Sequence, residues 1–138
     1  MDRSSKIIES YAVTTANVHD SKPLDELTQK GDGELHADSA YCSEEINRKL
    51  ATKQITPQIN QRGVRYKSLS EQDRQDNREK SRVRARVEHV FGFMSNTMKS
   101  MELRCIGLKR AKTFVGLMNL VYNFCRFEQI VRLNIKIA

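Results

Sequence analysis

The spacing of hydrophobic residues predicts two long helices in the second half of the chain. From about Asn77 to Met101, valines and methionines recur every three or four residues, which is typical of the apolar face of an amphipathic helix. This stripe consists of Val83, Val87, Val90, Met94, Met98 and Met101. Residues 111–133 are apolar around most of a helix circumference, so a second helix there is predicted to lie buried against the first.

The first half of the chain has the pattern of short strands. Residues 7–15 alternate roughly between β-branched or aromatic residues and others, which predicts a strand. Two further short strands are predicted, one over residues 34–38 and one within "QITPQIN" at 54–60. Pro57 favours an edge or the end of the last of these strands, because proline donates no hydrogen bond to a ladder.

Short helices are predicted between these strands. Asp20 or Ser21 is expected to cap the first, and a pair of glycines stops it. Ser43 is expected to cap a helix over residues 43–53. Residues 61–77 are polar and have no hydrophobic period, which indicates a loop. The order β-α-β-α-β followed by two long helices predicts an α/β domain with a small sheet.

Composition limits the class of protein. A chain of 138 residues, 38% hydrophobic and 30% charged, suits one soluble globular domain. No apolar run approaches the roughly 20 residues that span a bilayer, and the start of the chain does not resemble a signal peptide, so we expect a cytoplasmic protein that does not span a membrane. The three cysteines are far apart and odd in number, which predicts reduced thiols rather than disulfides or a zinc site.

The net charge of +7 is concentrated in the second half of the chain. Residues 1–60 have 7 Lys and Arg against 10 Asp and Glu, a balance of −3; residues 61–138 have 17 against 7, a balance of +10. A basic half of this kind favours a polyanionic partner, either nucleic acid or an acidic membrane surface. The alternative is a basic surface that serves only solubility.

An acidic residue, Glu88, stands among arginines in "RVRARVEHVFG" at residues 82–92. On a helix, Arg84 and Glu88 lie one turn apart, on a line roughly 120° from the centre of the apolar stripe. This spacing allows an intrahelical ion pair that stabilises the helix by a few tenths of a kcal/mol. The alternative is that Glu88 is a ligand in a metal site that acts on a phosphate backbone.

A second carboxylate, Asp38, follows the strand predicted at 34–38. Binding sites of open α/β sheets gather at the carboxyl ends of strands, where Asp38 together with an acid from a helix would suit a divalent metal. The alternative for Asp38 is a turn or capping residue. Asp20 is better explained by capping, and His36 and His89 lack ligand spacing and are expected to be structural or surface residues.

Four stretches of the chain together resemble a known family. They are "ANVHDSKPLDEL", "ADSAYCSEE", "NREKSRVRARVEHVFG" and "LRCIGLKRAKTFVGLMNLVYNFCR". They resemble the catalytic domain of bacterial DDE transposases of the insertion-sequence-five type. The resemblance implies an RNase H-like fold and an Asp-Asp-Glu triad that holds two Mg²⁺ or Mn²⁺ ions. It also implies hydrolysis of a DNA strand at insertion-sequence ends, followed by attack of the freed 3′-hydroxyl on target DNA.

The resemblance assigns roles to individual residues. Asp38 matches the second aspartate and Glu88 the glutamate, so both are implied to be catalytic metal ligands. Arg84 matches the arginine that precedes this glutamate in a tyrosine-arginine-glutamate-lysine signature, and is implied to be part of the catalytic site. Ser81 and Ser95 stand where the signature has its tyrosine and lysine. The expected DNA contacts are Arg78, Arg82, Arg86 and Lys99.

The first aspartate of the family has no counterpart in this chain, since it precedes the strand that residues 7–15 resemble. We therefore expect the C-terminal half of a truncated RNase H-like domain, inactive alone and lacking the domain that recognises transposon ends. Its expected partners are double-stranded DNA and either a transposase N-terminal half or a second copy. The alternatives are a non-catalytic module that binds DNA or interferes with a transposase oligomer, and a degenerate remnant.

Overall fold

The structure is a computed structural model that describes residues 1–61, 69–98 and 103–137. In chain order its elements are α1 (Leu24–Leu27), β1 (Glu34–Ala37), a 3-10 helix (Ser39–Tyr41), α2 (Glu44–Thr52), β2 (Thr56–Ile59), α3 (Glu71–Asn96) and α4 (Leu108–Arg132). The chain divides into two compact units. We call Asp20–Ala85 the strand unit, and Met1–His19 together with the described residues from Arg86 onward the helix-pair unit.

The strand unit contains the predicted pair of short strands. β1 and β2 are parallel, with Glu34 opposite Thr56 and Ala37 opposite Ile59. Parallel strands need a long connection, and α2 supplies it here. The α/β class and the small sheet are thus confirmed.

Local capping explains where α2 begins. The Ser43 hydroxyl accepts a hydrogen bond from the backbone N–H of Ile46 at 3.2 Å, as the sequence predicted. Glu44 and Glu45 follow in the first turn, where acids favour the positive end of the helix dipole.

The short helix α1 differs from its prediction. Its N-cap is Pro23, without a side-chain cap, rather than Asp20 or Ser21. The helix is a single turn because Thr28 is already extended, and the Thr28 hydroxyl donates to the Leu24 carbonyl at 2.9 Å. It therefore ends before the predicted glycines.

The helix α3 begins at Glu71, about six residues before the predicted start. Ser70 and Asp73 explain the difference, since the backbone N–H of each donates at 3.1 Å to the side chain of the other. This reciprocal arrangement is a form of the capping box. The loop predicted over residues 61–77 was therefore wrong for 71–77, and its residues 62–68 lie outside the described part of the chain. The helix ends at Asn96 rather than near residue 101.

The strand predicted over residues 7–15 is absent, since the structure assigns no strand there. The start of this segment instead binds side chains of α4. Asn123 donates to the Ile8 carbonyl and accepts from the Ile8 N–H, both at 2.9 Å. Tyr122 donates to the Lys6 carbonyl at 3.1 Å, and Arg126 donates to the Ser5 carbonyl at 2.7 Å. These side chains satisfy backbone groups that a ladder would otherwise pair, so strand propensity does not decide the structure.

The core of the helix-pair unit lies between α3 and α4. Val90 and Met94 from the predicted stripe pack against Met118 and Tyr122 of α4. The ring of Phe93 meets that of Tyr122 edge to face, with centroids 5.7 Å apart. The prediction that α4 packs on α3 is therefore confirmed for one face of α4.

The opposite face of α4 is exposed, against the prediction that the helix is buried. Phe124 and Phe127 are 66% and 59% exposed, respectively. The helix spans Leu108–Arg132, close to the predicted 111–133. Within the described ranges, no helix combines the length and apolarity that crossing a bilayer demands.

Candidate functional site at the carboxyl end of β1

Asp38 directly follows β1, as the sequence predicted. Its side chain accepts a hydrogen bond from the backbone N–H of Ser39 at 2.7 Å and so caps the 3-10 helix. The capping role considered for Asp38 is therefore present.

The same carboxylate also forms an ion pair with Arg84 of α3. Arg84 Nη1 lies 2.9 Å from Asp38 Oδ1, and the Arg84 side chain is about one-third exposed. The Ser39 backbone N–H and then the Arg84 guanidinium hold the pKa of Asp38 below its usual value of 3.8. In the strand unit, then, the cationic partner of Asp38 is an arginine from a helix distant in sequence.

The ion pair with Asp38 replaces the Arg84–Glu88 pair that helix spacing allowed. Glu88 is exposed on α3, one turn after Arg84, and makes no hydrogen bond or ion pair with any residue in the described ranges. The intrahelical interpretation was wrong for this reason. Asp38 lies in the strand unit and Glu88 in the helix-pair unit, so their expected role as ligands of the same metal site stays a prediction.

Three further contacts join the end of β2 to α3. The side-chain amide of Asn60 donates to the Ser81 hydroxyl at 3.1 Å, and Lys80 donates to the Ile59 carbonyl at 3.2 Å. Asn77 accepts from the Gln61 N–H at 2.9 Å and donates to its carbonyl at 3.0 Å.

These contacts hold the turn of α3 that precedes Arg84 against the carboxyl end of β2. Sequence reasoning missed Asn60, Asn77 and Lys80 as parts of this arrangement. The sequence signal that could have revealed this polar side of α3 is the spacing of Asn77, Ser81 and Arg84, which recur every three or four residues.

Tyr41, in the 3-10 helix that follows Asp38, is influenced by the charges of two nearby aspartates, Asp20 and Asp38. Burial, followed by the charges of Asp20 and Asp38, raises the pKa of Tyr41 above 10.0. Asp20 was expected to cap a helix, but α1 begins after Pro23 and Asp20 is exposed.

The arginines expected to contact DNA differ in whether their guanidinium groups already make contacts within the fold. Arg78 and Arg82 are exposed on α3, and neither forms an ion pair with another described residue. Arg86 is half-buried and donates to the Arg3 carbonyl at 2.7 Å, so this guanidinium is partly occupied within the fold. Lys99 lies outside the described residues.

The described residues of each unit form no metal centre by themselves. Across residues 1–61, 69–98 and 103–137, no three His, Cys, Asp or Glu side chains are grouped as ligands. The donor set at Asp38 is a single carboxylate with one oxygen paired with a guanidinium, so a divalent cation held there would need further ligands from elsewhere.

Two of the histidines have one ring nitrogen beside a charged side chain, and the other ring nitrogen of His36, Nδ1, is buried without a hydrogen-bond partner among the described residues. His36 Nε2 lies 3.2 Å from a Glu34 carboxylate oxygen, and His89 Nδ1 lies 3.4 Å from the Lys6 amine. The cysteines are free thiols, which agrees with the predicted reduced state; they are Cys42, Cys105 and Cys125.

A family model described as the transposase DDE domain matches residues 1–124. No solved structure matches the chain.

Proposed function

The chain belongs to the transposase DDE domain family, which implies DNA transposition, and we propose that it supplies two of the three catalytic carboxylates. In this proposal Asp38 and Glu88 are metal ligands, and the first aspartate comes from outside these 138 residues. The complete domain would have an RNase H-like fold of the insertion-sequence-five type. Transposase DDE domains generally use divalent metal ions, which activate the nucleophile and stabilise the leaving oxygen of the cut strand.

The position of Asp38 is the observation that carries the proposal. It is a carboxylate at the carboxyl end of a strand in a parallel pair, which is where α/β folds place their sites. It is also accessible, since the side chain is 56% exposed.

Arg84 has a positioning role in this proposal. Its guanidinium holds one oxygen of Asp38, so it keeps the carboxylate ionised and oriented before a metal and DNA arrive. With a metal ion held by the carboxylate, Arg84 would be available to contact a DNA phosphate.

Arg78 and Arg82 are the proposed DNA contacts with the best structural support. They are exposed one turn apart on α3, and no other described residue neutralises them. Contacts of this kind bind phosphates and position the duplex without reading its sequence. Arg86 and Lys99 complete the proposed set.

Salt dependence of DNA binding tests this part of the proposal. The double variant Arg78→Ala, Arg82→Ala should reduce the slope of log affinity against log salt by about 2, since each lost phosphate contact removes about 0.9. Fluorescence anisotropy with a labelled duplex measures the slope.

The control is the double variant Arg48→Ala, Arg132→Ala. It removes the same charge from exposed arginines that already pair with glutamates four residues earlier. An equal loss of slope in both double variants would contradict the assignment, because total charge alone would then explain the binding.

A nicking assay tests the catalytic part of the proposal. The purified chain should not nick supercoiled plasmid in Mg²⁺ or Mn²⁺, because a two-metal site needs the remaining aspartate. Restored nicking is expected when a segment carrying that aspartate is added, and Glu88→Gln should abolish it. Cleavage by the chain alone that disappears in Glu88→Gln would show that the triad is complete without a partner.

A second candidate function is a non-catalytic module that binds DNA or joins a transposase oligomer. The exposed apolar face of α4 favours it, because such a face suits a protein contact. This candidate predicts DNA binding with the same salt slope, but no nicking even when the missing aspartate is supplied.

A further inference from the structure

The helix α4 has apolar side chains on two opposite sides. Its buried residues are Met118, Tyr122 and Ile130. At about 100° per residue these lie roughly 120–160° around the helix from Phe124, which is 66% exposed. We call the side centred on Phe124 the outer face. Its six apolar side chains, 47–66% exposed, are Leu117, Leu120, Val121, Phe124, Phe127 and Val131.

The spacing along the outer face is that of a helix-pairing seam. Five of its residues, from Leu117 to Val131, are separated by alternating intervals of three and four, like the a and d positions of a heptad. Between these two residues, Glu128 is the charged residue on this side; it lies about 40° from Phe124, and its carboxylate is paired with Arg132 at 2.7 Å. A surface helix that packs on one neighbour normally has polar residues opposite its buried face.

The area of the outer face suits a protein interface. With half to two-thirds of each side chain exposed, the apolar area is on the order of 600–700 Å². This exceeds the largest patch of many monomers and approaches the roughly 800 Å² that each partner buries in a stable complex. We propose that the outer face of α4 binds the same face of a second copy of this chain.

Charge selects an antiparallel arrangement of the two helices. The first turns of α4 contain Lys109, Arg110 and Lys112, the first turn has no acidic residue, and the N-cap offers no side chain. A parallel pair would place these cations, and the positive ends of both helix dipoles, beside one another. An antiparallel pair separates them and gives a closed two-fold contact. The dimer does not depend on whether the chain takes part in catalysis.

Analytical ultracentrifugation of the full chain tests the contact. The wild-type chain should sediment as a dimer at micromolar concentration. Phe124→Lys should raise the dimer dissociation constant about tenfold or more, because it places a charge at the centre of the seam. Phe91→Lys is the matched control, since Phe91 is 52% exposed but lies on α3.

The circular dichroism spectrum should be unchanged in both variants, since both side chains are exposed. A monomeric wild-type chain would overturn the proposal, and would leave the face to a different protein. Equal weakening by both variants would also overturn it, because the association would then be nonspecific.

Spin labels test the orientation of the pair. Lys112→Cys supplies one label per copy when the native cysteines at 42, 105 and 125 are changed to serine. At 1.5 Å per residue, an antiparallel pair centred near Phe124 places the labels roughly 30–40 Å apart, whereas a parallel pair places them roughly 10–20 Å apart. The shorter distance would overturn the antiparallel arrangement.

Discussion

The two units of the chain differ in how α3 contacts its neighbouring element. In the strand unit, hydrogen bonds of Asn60, Lys80 and Asn77 join α3 to the end of β2. In the helix-pair unit, the contact between α3 and α4 is an apolar cluster that includes Met94 and Tyr122. The strand unit thus presents polar groups around Asp38, while the helix-pair unit exposes apolar surface on the outer face of α4.

This difference indicates separate tasks within one chain. A site with ionised groups needs hydrogen-bonded neighbours that hold each charge, and Asp38 has them in Ser39 and Arg84. An exposed apolar face instead suits association with another protein surface. The proposed chemistry and the proposed dimer contact therefore rest on different parts of the chain.

The largest expected effect comes from truncating a core residue in each unit. Leu50→Ala in the strand unit and Met94→Ala in the helix-pair unit should each lower the free energy of unfolding by about 2–5 kcal/mol, because each leaves a cavity. Leu50 is 2% exposed and Met94 is 3% exposed. Urea denaturation followed by circular dichroism measures both changes.

Leu133→Ala serves as the control for core truncation. Leu133 is 58% exposed, so its loss should change the free energy of unfolding by less than about 0.5 kcal/mol. If Leu50→Ala were as mild as this control, the strand unit would not depend on an apolar core at all.

An intermediate effect is expected at Asn123, which makes the two hydrogen bonds between α4 and Ile8 in the helix-pair unit. Asn123→Ala should lower the free energy of unfolding by about 1–3 kcal/mol, because it leaves both backbone groups of Ile8 without their partner. Asn119→Ala, one turn earlier on α4, is the matched control and should have little effect. Similar losses in the two variants would mean that the Ile8 contacts contribute nothing specific.

The smallest effect is a pKa change confined to the strand unit. Arg84→Gln should raise the pKa of Asp38 back toward 3.8, because one of the groups that lower it is lost. Asp2 in the helix-pair unit is the internal control. The Ser5 side chain and then its backbone N–H hold the pKa of Asp2 at about 2, independently of Arg84. An NMR titration of the carboxyl carbons measures both values.

The pH dependence follows from the sign of these shifts. Both carboxylates have a lower pKa in the folded chain than in the unfolded chain, so each stabilises the fold above its unfolded pKa. For Asp2 this contribution is lost as the pH falls from 3.8 to about 2. If Arg84→Gln moved the pKa of Asp2 as well, the two carboxylates would not be independent.

The sequence by itself determined the elements whose signals are local. Ser43 capped α2 as predicted, the alternation around β1 and β2 placed both strands, and the valine and methionine stripe identified the buried side of α3. The early start of α3 was also readable, since Ser70 and Asp73 form its cap. Capping and periodicity involve residues within one or two turns, so no tertiary contact is needed to detect them.

Only the tertiary structure decided the partner of Arg84 and the conformation of the segment that precedes Tyr11. Helix spacing allowed an ion pair between Arg84 and Glu88, but such an intrahelical pair stabilises a helix by only a few tenths of a kcal/mol. Once β1 and α3 are packed, Asp38 lies within 3 Å of the guanidinium and takes that contact. Ile8 likewise is not part of a strand, because the side chain of Asn123, 115 residues later, forms hydrogen bonds with both its backbone N–H and its carbonyl. Contacts between residues so far apart in sequence leave no periodic signal, so the fold alone selects them.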